Sequence, residues 1–124
     1  SYVYVSKAML SMAMNRMKPG SPAIGSVPNF DVKSIMNKLS GLQIITPETE
    51  AAAQKLKSET MAIVKNGKYN LMMQTDHGNE KVRIYDQEGK KQSVIVMITE
   101  EGKDMTVIVF SGTFTKKDIE GLIK

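Results

Sequence analysis

The sequence predicts one α+β domain: a mainly antiparallel sheet, made of a C-terminal four-strand meander and short N-terminal strands, with helices packed on one face. Three observations predict it. The spacing of apolar residues changes at Tyr69 from the helical period to the alternation of strands. Beyond that point, three short polar separators at 76–79, 87–90 and 100–104 each carry a glycine, the signature of successive hairpins. The 124 residues, 41% hydrophobic and 24% charged, suit a single globular unit over 1–124 with a core that needs no disulfide or metal staple.

Each element follows in chain order. Tyr2, Val3, Tyr4 and Val5 form a short β-rich run, after which Ser6 is placed to cap a helix over 7–17. Pro19, Gly20, Pro22, Gly25 and Pro28 make 18–29 a loop, expected to be the most mobile internal segment. Asp31 is placed to cap a helix over 32–39, whose Val32, Ile35, Met36 and Leu39 share one face and which Gly41 ends. Residues 42–45 read as a second short strand. Thr46 then caps a helix over 48–66, with Pro47 in its first turn and Glu48 and Glu50 at its positive end. Ala53, Leu56, Thr60, Ile63 and Val64 face the core, Lys55, Lys57 and Glu59 face water, and Gly67 is the stop. Strands are predicted at 69–75, 81–86, 93–99 and 105–111. Thr115 followed by Asp118 opens a final helix over 115–123 that presents Ile119, Leu122 and Ile123.

The last two strands are apolar on both sides. Residues 94–98 run Val-Ile-Val-Met-Ile, and 105–110 put Met105, Val107 and Val109 on one face and Ile108 and Phe110 on the other. Two apolar faces require two covers. The helices 32–39, 48–66 and 115–123 supply one. The second is expected to be the methionine-rich helix 7–17, through Met9, Met12 and Ala13, or a partner chain. Met9, Met12, Ile24, Val27, Ile95, Met97, Ile108 and Phe110 are therefore the candidate interaction surface, and the chain is expected to be a monomer or a homodimer.

The composition removes much chemistry. With no cysteine there is no thiolate nucleophile, disulfide or cysteine-based metal site. His77 is the single histidine and lies in a polar turn, so a His-His metal pair is impossible within one chain. Gly20 and Gly25 have the spacing of a phosphate-binding loop, but Ser26 and Val27 follow where Lys and Ser or Thr are required. Met9, Met12, Met14 and Met17 invite a copper(I) reading, yet on a helix they spread over about 200° of arc instead of converging. The net charge is +4, with Lys7, Arg16, Lys18, Lys33 and Lys38 scattered rather than striped, which does not suit a nucleic-acid partner. No catalytic residue, cofactor or metal ligand is predicted. Carboxylates converging from distant segments are the remaining enzymatic route.

Four segments carry a family resemblance: 2–10, Leu42-Gln43-Ile44-Ile45, Tyr69 to Met73, and the paired runs 93–98 and 106–112. On these the chain resembles the domain-of-unknown-function family 4252, small exported proteins of Bacteroidetes. The resemblance implies an extracytoplasmic location, periplasmic or outer-membrane associated. It allows a lipid anchor or other membrane tether upstream of Ser1, since the chain opens on Ser and is expected to be a processed form. It transfers no catalytic residue. The function expected from residues and resemblance together is a non-enzymatic, lipoprotein-like cell-envelope binding module whose partner is an envelope protein. The alternative is a small carboxylate-based hydrolase or lyase.

Overall fold

A computed structural model of the chain describes residues 2–6, 36–115 and 117–118. Among them run, in order, β1 (Tyr2–Ser6), a single 3-10 turn (Met36–Lys38), β2 (Leu39–Ile45), α1 (Glu50–Asn66), β3 (Asn70–His77), β4 (Glu80–Glu88), β5 (Ser93–Glu101) and β6 (Asp104–Gly112). All six strands form one sheet in the order β1-β2-β6-β5-β4-β3, and every neighbouring pair is antiparallel. The predicted meander is therefore present as β3 to β6. The glycine-bearing separators turn it: Gly78 and Gly102 take φ of 69° and 60° at the first of two loop positions, where an L side chain is disfavoured.

The topology places the helix. Its last strand, β6, lies between β2 and β5, so the chain leaving β2 must cross the sheet to reach the far edge at β3. Four strand spacings measure about 19 Å, and a 17-residue helix spans about 25 Å, enough to make the crossing on one face. Ala53, Leu56, Met61 and Val64 of α1 pack there against Tyr85, Val96, Ile98, Met105 and Val107. Tyr85 Oη donates to Met61 Sδ at 3.8 Å, and Gln87 Nε2 donates to the Gly67 carbonyl at 2.6 Å, tying the C-terminal part of the helix to β4. The opposite face holds Leu39, Leu42, Val82, Ile84, Ile95, Met97, Ile108 and Phe110, with Phe114 beside them. All are buried, so the chain encloses both faces of its central strands.

The sheet dominates more than the sequence suggests, and several expected boundaries move. The helix expected over 32–39 is, where described, only the 3-10 turn, and Leu39 already belongs to β2. Tertiary pairing overrides the helical spacing there, because β2 is held on both sides, by β1 and β6. Gly41 is not a helix stop but a strand residue beside a bulge between Leu39 and Gly41. The helix cap is Thr49, whose Oγ1 accepts the Ala52 N–H at 3.0 Å, and not Thr46. Ile45 still pairs with Tyr2 and Val107, so the chain needs 46–49 to leave the sheet before a helix can start. Ile63, expected in the core, is 59% exposed, and Met61 packs in its place. The helix 7–17, the loop 18–29 and the body of the C-terminal helix lie outside the described residues.

The predicted cap of that last helix is present. Asp118 Oδ2 accepts the Thr115 N–H at 2.8 Å, and Thr115 Oγ1 accepts the Asp118 N–H at 3.3 Å. Lys38 Nζ reaches the same carboxylate at 2.7 Å. The Lys38 hydrogen bond, followed by that of the Thr115 N–H, pulls the Asp118 carboxyl from 3.8 down to about 2. A folded-state pKa below the unfolded one stabilises the fold above pH 3.8, and that contribution is lost as the pH falls through about 2. The difference in melting temperature between the native chain and Asp118→Asn is therefore expected to be present at pH 6 and to shrink below pH 4, most of it gone near pH 2. Thermal unfolding of both proteins across that range checks it.

Candidate functional site

Two surface features stand out among the described residues. The first is a groove of about 480 Å³ between the N-terminal half of α1 and the β5–β6 hairpin. Glu50, Lys57 and Met61 line it from the helix, and Glu100, Asp104 and Met105 from the hairpin. Helical spacing brings Lys57 over the sheet, where its Nζ meets Glu100 Oε1 at 3.0 Å. That oxygen is shielded from water, so the ammonium is what answers its charge. Glu50 and Asp104 are exposed at the rim. The described residues contain no group of three His, Asp or Glu side chains able to hold a metal ion.

The second feature is the outer edge of β1. Tyr2, Val3 and Tyr4 are 60%, 47% and 52% exposed, although all are large and apolar in body. The register with β2 puts Tyr2 and Tyr4 on the face that carries α1 and Val3 on the other. Tyr4 lies over Gly41, close enough that a Cβ there would meet the Tyr4 ring. The missing side chain on β2 is thus the seat of the ring, which is fixed while half of it faces water.

The residues singled out from the sequence fall elsewhere. Ile95, Met97, Ile108 and Phe110 come together on one face, as their alternation predicts, but they are core residues of 0–4% exposure. Met9, Met12, Ile24 and Val27 lie outside the described residues. His77 is the exposed last residue of β3, paired across the hairpin with Glu80. His77→Ala is expected to change stability by no more than about 0.5 kcal/mol, measured by urea unfolding. Sequence reasoning missed both surface features. The groove joins residues about fifty positions apart, and no local pattern announces it. The edge had a signal: a β-rich run with no charge to keep it in solution.

The family model described as "Domain of unknown function (DUF4252)" matches residues 1–122. The chain belongs to this family. The match takes in every strand of the sheet and α1, so the groove and the β1 edge are both parts of the DUF4252 domain. No curated protein and no solved structure matches the chain. Its function must be argued from its own surface.

Proposed function

We propose that this DUF4252 chain is a non-enzymatic interaction module of the cell envelope that docks a protein partner on the outer edge of β1. The observation that carries this reading is the exposure of Tyr2, Val3 and Tyr4 on a sheet edge that no described strand covers. An edge strand offers a row of backbone donors and acceptors, and apolar side chains beside it reward an added strand with burial. The envelope location rests on the resemblance to exported proteins. The tether upstream of Ser1 is part of the same proposal.

The groove favours a second reading, a small carboxylate-based hydrolase or lyase, because Glu50, Glu100 and Asp104 converge on it. Acid–base work asks for one carboxyl group seated in apolar surroundings away from any cation, beside a second in a polar setting. Here Glu100 is engaged by Lys57 and the other two stand in solvent. The edge is therefore the stronger site.

A photo-crosslinking amino acid at position 4, activated in living cells, tests the choice. Adducts to protein in the envelope fraction, lost on Val3→Lys and kept on Glu100→Gln, are the expected result. Absence of adducts, together with turnover of a glycoside or ester substrate that Glu100→Gln abolishes, would establish the second reading instead.

A further inference from the structure

We propose that the strand docking on β1 is the β1 of a second copy of this chain, paired antiparallel about a two-fold axis normal to the sheet. The inference rests on the reading of β1 as a docking edge and names its occupant. It joins two six-stranded sheets edge to edge.

The two edges of the sheet differ in the way that such a pairing requires. At β3 the register is broken by a bulge between Leu71 and Met73, and Gln74, Asp76 and His77 are exposed along it. Bulges and charged or polar side chains are the devices by which sheets close an edge to further strands. β1 has neither a bulge nor a charge. Its register with β2 is unbroken from Tyr2 to Ser6, and its sequence Tyr-Val-Tyr-Val-Ser contains no charge and no proline. Among the described residues β1 is an open edge and β3 a closed one, which selects a closed pair. A β1-to-β3 contact would instead propagate head to tail into a fibre.

The pattern of β1 is also self-complementary. A two-fold axis normal to the sheet keeps each face on its own side, so residues opposite each other differ by an even number of positions. With the axis at Tyr4, position 4 stands opposite itself, 3 opposite 5, and 2 opposite 6. With the axis at Val3, position 3 stands opposite itself and 2 opposite 4. In both registers the tyrosines, on the α1 face, are set against tyrosine or serine, Val3 is set against a valine, and no like charges meet. Among the described residues α1 leaves the junction clear, because it packs on β4, β5 and β6, two or more strands in from the edge. A five-residue strand pair is small beside the roughly 1,200–2,000 Å² of a stable complex, so the dimer is expected to dissociate on dilution.

The absence of cysteine from the chain makes a direct test clean. At the axis residue the two Cα atoms lie about 4.5–5.5 Å apart, within disulfide reach. One residue off the axis, a position and its own copy are about 8 Å apart, beyond it. Single variants Val3→Cys, Tyr4→Cys and, on the other edge, Leu71→Cys are oxidised under mild conditions. The expected result is a disulfide dimer from one of the first two and from neither of the others. Sedimentation of the native chain should show a dimer that dissociates on dilution. Val3→Lys and Tyr2→Lys should abolish it while keeping the native melting temperature. A native chain that stays monomeric at every concentration, or disulfides formed equally at positions 3, 4 and 71, would overturn the proposal. If the chain is monomeric and position 4 still crosslinks to a different envelope protein, self-pairing fails and the docking edge stands. If neither occurs, both fail.

Discussion

Phe110→Ala is expected to lower the unfolding free energy by about 3–5 kcal/mol, the cost of emptying a fully packed aromatic site. Phe110 is 0% exposed and lies in β6, a central strand. Its Cα partners are Ile95 in β5 and Leu42 in β2, themselves 0% and 1% exposed. Those neighbours are fixed by ladders on either side and cannot collapse into the space, so the transfer and cavity terms add. For a chain of this length the loss corresponds to a melting temperature lower by roughly 10–20 °C. Ile63→Ala removes as hydrophobic a side chain from a site 59% exposed and should change stability by about 0.5 kcal/mol or less. Urea unfolding of the two variants side by side checks the contrast. Equal effects would mean that the face opposite α1 is not packed.

That contrast also marks what the sequence could reveal. The alternation in β5 and β6 required both faces to be buried, and they are. The hairpins were legible because each glycine sits where the backbone turns, and the Thr115–Asp118 cap because both of its partners lie within four residues. Ile63 was misplaced because helical spacing defines a stripe but not its edges. Contact with Tyr85 decides that Met61, on the other border, goes inside. Leu39 was misplaced because its spacing from Val32, Ile35 and Met36 is helical, while its hold on Gly112 across seventy-three positions is not visible in any window. The groove is hidden for the same reason: Lys57 and Glu100 meet only once α1 has crossed the sheet. Features made by one element were readable. Features made where two distant elements meet were not.

Gly112→Ala is expected to cost about 2–4 kcal/mol, through crowding at such a meeting point. Gly112 ends β6 and faces Leu39 at the start of β2 and Ser93 at the start of β5. A Cβ there would collide with the Lys38 carbonyl oxygen and come within 3.0 Å of Leu39 Cα and of the Phe114 ring. The carbonyl cannot yield cheaply, because it accepts the Thr113 N–H at 2.9 Å. Phe114 is held too, since its own carbonyl accepts Ser93 Oγ at 3.0 Å. Backbone on two sides must therefore shift or give up a hydrogen bond. Gly78→Ala provides the control, for there a Cβ meets nothing within 4 Å and only the φ of 69° resists it, a cost of about 1–2 kcal/mol. Under chemical denaturation Gly112→Ala should be the more damaging of the two. It should also free the Thr113 amide to exchange faster, whereas Gly78→Ala leaves that amide protected. The reverse order would show that β2 and β6 do not approach as closely at this junction as Leu39 and Gly112 are placed.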